Sequence, residues 1–432
     1  MSVQALRDFP VRRRWALLLA LTACQRSPKR TKYCCAPWST GTAFLALSLL
    51  AVAFAAGPRV APNLNPPPPA AVAAVIRNEV SALDGLGVSV AVSHGAHLEW
   101  ASGFGSVDLA TKQPATAGTV FQVGSITKTF TAALVMQLVQ EGKLSLDERI
   151  GQFVPGLPWG QKITLAELVD MTSGIVDYLS FSRSSLLGPH CPSPSGSVAG
   201  CRALTSGQVV SWLARHKLMF TPGTLYSYSN SNYYLLGLAV QRVVGQSYNA
   251  YLEKRIVVPL GLSHTGPCPD QMSPPSDAIG YLVVSHPVAV TGSYAFDSEF
   301  FAAGELCSTV GDLVKWANDL ADGRVVSAST YKEMSTPPAL PAAAPPDPYG
   351  FGLEVGVVAD QNFVGHGGTT LGFVSDLYHV AKLDLNIAIC TDAYPASALT
   401  AELVSGEGET IAGEIVAIAE RELKAQKLEL QS

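Results

Sequence analysis

The sequence predicts a two-lobed α/β fold. Strand-like runs lie near both ends of the body, and helical periodicity dominates the stretch between them. Of the 432 residues, 48% are hydrophobic and 15% charged, enough apolar surface for a large core. The simplest packing joins the two ends in one sheet, covered by the first and last helices. The helical middle, about residues 145–330, then forms a second lobe, and the cleft between lobes is the default site.

Each element follows from local pattern. Ala71 to Leu83 has helical apolar spacing and stops before Asp84-Gly85. Val88 to Val92 is β-branched, His94-Gly95 supplies a turn, and Leu98 to Phe104 completes a hairpin. Thr127 to Glu141 reads as a helix stopped by Gly142. Helical patterns follow at Thr164 to Met171, Ser206 to Lys217, Asn232 to Val244 and Thr309 to Leu320. Thr336 to Pro348 holds six prolines and reads as a surface loop. Strand-like runs return at Tyr349 to Val358, Thr370 to Val380 and Leu385 to Thr391, and a last helix covers about Ile411 to Gln426.

The body, about residues 71–426, is preceded by a leader at 1–57 and a proline-rich linker at 58–70. The leader carries eight Lys/Arg and one acid, Asp8. It holds two apolar stretches behind basic residues, Trp15 to Ala23 and Gly41 to Gly57. Both have the layout of an export signal. The second ends Ala53-Phe54-Ala55-Ala56, which suits cleavage near Ala55 and an exported, periplasmic or secreted protein. The first ends at Cys24 in a lipoprotein-like box, so a lipid tether or an uncleaved membrane anchor is the alternative. Pro58 to Pro69 reads as a stiff polyproline spacer.

The remaining residues hold 21 bases against 33 acids. That balance excludes nucleic acid as a partner class, because phosphate binding needs a basic face. The body has five Cys. Cys191 and Cys201 bracket a turn-rich loop and are either a disulfide or two free thiols, while Cys390 ends an apolar run as core filling. His94 and His97 flank the hairpin turn as solvated residues, so no metal is expected.

Three segments carry candidate chemistry. In Gly124-Ser125-Ile126-Thr127-Lys128, Ser125 and Lys128 lie three apart at a helix start and share a face. Free N–H groups and the positive dipole end favour an acyl-oxygen there, and a Lys of lowered pKa can take the hydroxyl proton. Tyr226-Ser227-Tyr228-Ser229-Asn230 leads into a helix, with Tyr228 and Asn230 alternating towards one side. Tyr relays protons, and Asn holds an amide or carbonyl. The third segment is Gly365-His366-Gly367-Gly368-Thr369, where glycines beside a strand permit close approach of a substrate backbone.

Together and in this order, the segments resemble the penicillin-recognising serine hydrolases: beta-lactamases, D,D-peptidases and related esterases. Gly103-Phe104-Gly105 with Asp108-Leu109-Ala110, Thr172-Ser173-Gly174, Ala302-Ala303-Gly304 with Asp312-Leu313, and Tyr349-Gly350-Phe351-Gly352 extend the resemblance over about residues 71–425. It implies an antiparallel sheet flanked by terminal helices, plus an all-helical lobe. It implies Ser125 as acyl-forming nucleophile, Lys128 as its base and Tyr228 as proton shuttle. Asn230, His366, Gly367 and Gly368 would bind substrate, with the backbone N–H groups of Ser125 and Thr369 as oxyanion hole. No cofactor is implied. The substrate class is an ester, a β-lactam or a peptide ending in D-amino acids.

Three positions depart from the pattern, Gly367 standing in place of the motif's usual Thr or Ser. His366 replaces the usual Lys of the third motif, which weakens attraction to a β-lactam carboxylate unless another cation such as Lys315 replaces it. Glu305 stands where relatives often have Gly, and the insertion Phe181 to Arg202 has no clear counterpart. The rival reading is a catalytically silent cell-wall binding or sensing module. The intact Ser125, Lys128, Tyr228 and Asn230 argue against it.

Overall fold

In the computed structural model, residues 66–180, 204–268, 277–283, 286–290, 297–340, 348–395 and 398–429 are described. The leader and the whole 181–202 insertion, with Cys191 and Cys201, lie outside them. Among the described residues no helix is long and apolar enough to cross a membrane.

Six strands build the main sheet. They are β1 (Val88–His94), β2 (His97–Phe104), β3 (Glu354–Val358), β4 (Gln361–Thr370), β5 (Phe373–Val380) and β6 (Leu385–Thr391). Their order is β3-β4-β5-β6-β1-β2, antiparallel throughout. The β1–β6 pairing, Val88 opposite Thr391 through His94 opposite Leu385, joins the two ends of the body.

Strand periodicity assigns the two faces. Val88, Val90 and Val92 of β1 and Leu385, Ile387 and Ile389 of β6 share a core with Val72 and Ile76 of α1 (Ala70–Ala82) and Ile411, Ile415 and Val416 of α7 (Ala398–Glu429). Ala91, Ala388 and Cys390 face the opposite core, with the helical lobe. Covering both faces leaves β6 buried at every position, so it reads as a continuous apolar run.

The second core surrounds α2 (Thr127–Gln140), whose residues from Thr127 to Leu138 are all buried. Around it lie α3 (Leu165–Val169), α4 (Ser206–Leu213), α5 (Asn230–Val244) and α6 (Val310–Ala321). Thr164 with Glu167 and Thr205 with Gln208 form capping boxes that start α3 and α4. Gly245, in left-handed geometry, ends α5.

Two expectations are corrected, and a disulfide is added. The glycine-rich third segment is not beside a strand but within β4. Periodicity missed it because glycines show no apolar alternation. The strand expected from Tyr349 begins at Glu354, because the chain first makes a tight turn closed by a Tyr349–Glu354 bridge. The described disulfide is Cys268–Cys307. It joins the short paired strands Gly266–Pro267 and Leu306–Ser308, the latter also pairing with Phe121–Gln122 just before Ser125. Cys390 is free and buried.

Candidate active site

The site is built where the start of α2, the start of α5 and the end of β4 meet. Ser125 lies in a 3-10 turn, Gly124–Ile126, that runs directly into α2. Gly124 has φ +48, and a Cβ there would sit 2.7 Å from the Thr369 amide nitrogen. Gly368 has the complementary constraint, since its Cβ would fall 2.0 Å from the Val123 carbonyl oxygen. Two glycines therefore let β4 lie directly on the serine turn. This brings the Thr369 N–H against Gly124, the residue before Ser125, with Thr369 itself exposed.

Lys128 follows in the first turn of α2 and is fully buried. Its Nζ lies 2.8 Å from Ser125 Oγ, 2.8 Å from Asn230 Oδ1 and 2.6 Å from the Ala303 carbonyl oxygen. A neutral amine has two N–H groups and one lone pair. Asn230 and Ala303 accept the two N–H bonds, and the lone pair faces a hydroxyl able to donate. An ammonium is equally well satisfied by turning the serine hydroxyl. Burial lowers the Lys128 pKa to about 7, against the pull of the Asp177 and Glu354 carboxylates, which raise it.

The Ala303 carbonyl owes its direction to a strained turn. Phe301 adopts φ 44, a left-handed conformation costly for an aromatic residue, about 1–3 kcal/mol. Edge contacts of its ring with Tyr234 and Tyr248 hold it there. The turn aims the Ala302 carbonyl at Thr131 and the Ala303 carbonyl at Lys128.

Tyr228 and Asn230 come from the entry to α5. The Tyr228 ring lies 4.9 Å from Lys128 Nζ. Burial pushes its hydroxyl well above the usual tyrosine range, while a hydrogen bond with Ser125 pulls it down. Asn230 Nδ2 donates to Asp177 Oδ2 at 3.0 Å, which fixes Oδ1 towards Lys128.

On the β4 side, His366 is 2% exposed. Its Nε2 lies 3.0 Å from Tyr349 Oη. Its Nδ1 lies 2.5 Å from the Gly367 carbonyl oxygen and 3.4 Å from Glu354 Oε1. Burial lowers its pKa, Glu354 raises it and Lys128 lowers it. Both ring nitrogens are thus engaged by protein groups, unlike the cleft-facing His366 expected from the sequence. The strand presents Gly367, Gly368 and Thr369 as backbone.

The structure brings Ser125, Lys128, Tyr228, Asn230 and the β4 end together. Lys315 does not join them, since its Nζ pairs with buried Asp319 at 2.5 Å along α6. Glu305 is buried within electrostatic reach of Tyr178, Tyr234 and Tyr248. Sequence reasoning missed Asp177, Glu354 and the role of the Ala303 carbonyl. Asp177 follows Thr172-Ser173-Gly174 by three residues, which is the one signal that pointed towards it. Ser173 and Asp312 of the quoted motifs serve the scaffold. Ser173 Oγ donates to Asn232 Oδ1 at 2.6 Å, and Asp312 accepts from the His264 N–H at 2.8 Å.

Comparison with known proteins agrees with this arrangement. The profile of the family described as Beta-lactamase matches residues 72–401. A D-aminopeptidase of Cereibacter sphaeroides is 26% identical over 289 residues, 66% of this chain and 52% of its own length. Protein flp of Staphylococcus aureus is 26% identical over 313 residues, 70% of this chain and 59% of its own. The first curated relatives are matched over about half their length, 51% and 52%. The D-amino acid amidase from Ochrobactrum anthropi SV3, complexed with L-phenylalanine amide, superposes with TM-score 0.68 at 26% identity, covering 82% of this chain and 98% of the amidase. The octameric penicillin-binding protein homologue from Pyrococcus abyssi gives 0.63 at 26% identity, covering 78% and 77%. The chain belongs to the beta-lactamase family, within the penicillin-recognising serine hydrolases.

Proposed function

We propose that this chain is a serine hydrolase that works through an acyl-enzyme on Ser125. The observation that carries the reading is the 2.8 Å contact between Ser125 Oγ and the buried amine of Lys128, whose pKa of about 7 leaves much of it unprotonated near neutrality. Lys128 takes the hydroxyl proton as Ser125 Oγ attacks the substrate carbonyl. The N–H groups of Ser125 and Thr369 stabilise the oxyanion. Tyr228, kept neutral by burial, passes the proton to the leaving group. Water then attacks the acyl carbonyl, gives up a proton along the same route, and releases Ser125.

The substrate we favour is an ester or amide of a D-amino acid rather than a β-lactam. Two carboxylates, Asp177 and Glu354, act on Lys128. His366 offers no cation to a substrate carboxylate. A field of that sign suits an amine-bearing or neutral acyl group. The named activities of the Cereibacter and Ochrobactrum relatives point the same way. An extracytoplasmic location fits the leader pattern and the Cys268–Cys307 disulfide.

The test is a fluorophosphonate label with a substrate panel. Parent protein should label, and Ser125→Ala should not label and should lose at least about a thousandfold in turnover. Among a p-nitrophenyl ester, D-phenylalanine amide, a D-Ala-D-Ala peptide and nitrocefin, the ester and amide should give the higher kcat/KM and nitrocefin the lowest. Near-normal turnover by the Ser125 variant would end the mechanism, and a preference for nitrocefin would end the substrate assignment.

A further inference from the structure

The cluster around His366 fixes more than its burial. A neutral imidazole carries one N–H and one lone pair. Nδ1 faces two acceptors, the Gly367 carbonyl at 2.5 Å and the Glu354 carboxylate at 3.4 Å. A lone pair there would be repelled by both, so Nδ1 carries the hydrogen. Nε2 then bears the lone pair and needs a donor, and the group at 3.0 Å is the Tyr349 hydroxyl.

Tyr349 has a competing partner. Its hydroxyl also acts on Tyr233, whose pKa it pulls down, and the Tyr233 hydroxyl hydrogen goes to the Val169 carbonyl at 2.7 Å. The Tyr233 oxygen is therefore able to accept from Tyr349. If Tyr349 donated to it, His366 Nε2 would have to carry a hydrogen as well, giving a buried imidazolium. Burial, the largest influence, and Lys128 oppose that state and outweigh Glu354 and the Gly367 carbonyl, which favour it. The Tyr349 hydrogen consequently belongs on His366.

We infer that Tyr349 is a positioning residue for the site: its hydroxyl donates to Nε2 of His366 and locks the imidazole in the Nδ1–H tautomer that grips the Gly367 carbonyl. The consequence reaches the serine turn through β4. The Gly367–Gly368 peptide held by His366 is continuous with the segment where Gly368 lies on the Val123 carbonyl and Thr369 on Gly124. Glu354 braces the same residue, accepting from the Gly367 N–H at 3.0 Å. An imidazole in the opposite tautomer would repel the carbonyl it now holds and loosen the Thr369 N–H.

The experiment reads the tautomer directly. Full-length protein with ¹⁵N-labelled histidine is examined by long-range ¹H–¹⁵N correlation near neutral pH, and His366→Gln identifies the His366 signals among the eight histidines. The expected pattern is a protonated Nδ1 and an unprotonated Nε2. An Nε2–H or doubly protonated pattern overturns the inference. Tyr349→Phe keeps the ring contacts with Tyr226, Tyr228 and His366 and removes only the hydroxyl. It should lower the share of the Nδ1–H tautomer, because Nε2 loses its donor while Nδ1 keeps its two acceptors, and lower kcat by about ten- to a hundredfold, with KM within about threefold, as for partial loss of an oxyanion donor. An unchanged Nδ1–H share, or an unchanged kcat, overturns the role. If the variant does not fold, the parent spectrum still decides. The kinetic arm rests on the acyl-enzyme reading, whereas the tautomer arm stands or falls without any substrate.

Discussion

Lys128 and His366 lie within electrostatic reach of each other, and each is a buried base whose pKa burial pulls down. Their surroundings differ in one respect. Lys128 is met by two acceptors and a hydroxyl on the substrate side, so it is satisfied with or without its proton. His366 is met by two acceptors at one nitrogen and a hydroxyl at the other, all from the protein. The first arrangement leaves a base facing the hydroxyl we propose as nucleophile. The second leaves nothing for a substrate and holds a strand. Burial alone therefore does not define a catalytic base. What matters is whether the lone pair points at the group that must lose a proton.

The largest test of this contrast is to remove each base. Lys128→Met should lose at least about a thousandfold in kcat/KM, because the nucleophile and its base act as a unit. His366→Gln keeps a side-chain amide near the Gly367 carbonyl and should lose far less. Equal losses would erase the distinction drawn here.

Tyr228→Phe comes next, with an expected loss of about a hundredfold or more, in the range of general acid–base groups. Its sharper readout is the pH profile. If Lys128 is the base, activity is held above about pH 7 and falls as pH drops through that value, in parent and Tyr228→Phe alike. A limb that disappears in Tyr228→Phe would transfer the base role to Tyr228.

A smaller effect separates the supporting carboxylates. Asp177 raises the Lys128 pKa, so Asp177→Asn should move the acid limb of kcat/KM to lower pH. It should also free the Asn230 amide to turn. An unmoved limb would show that Asp177 is too well screened to tune Lys128.

The smallest is a stability slope. The folded chain binds Lys128's proton only below about pH 7, whereas the unfolded chain holds it into the ordinary lysine range. Across that window the unfolded state binds more protons, so this group makes stability rise with pH. Urea midpoints at about pH 7 and about pH 9 should differ less in Lys128→Met than in the parent. An identical difference would mean that Lys128 is not buried neutral.

The sequence by itself determined the elements and residues whose signal is local. The β-branched run of β1, the apolar run of β6, the spacing of Ser125 and Lys128 on one helix face and the Tyr228–Asn230 entry to α5 all lie within a few residues. Short-range backbone geometry is enough to read them. It also supported the joining of the two chain ends in one sheet, since neither end can cover its apolar face alone.

Only the tertiary structure decided what surrounds those residues. Asp177 and Glu354 act on Lys128 from segments about 50 and more than 200 positions away. No sequence pattern ties them to it. The Cys268–Cys307 pairing rests on the adjacency of two short strands, again invisible to spacing. His366 is the clearest case. Its identity was legible as a departure from a motif, but its direction depends on Tyr349 and Glu354 reaching it through the fold. A proton's position is set by which acceptors and donors lie within 3 Å or so, and chain folding alone determines that.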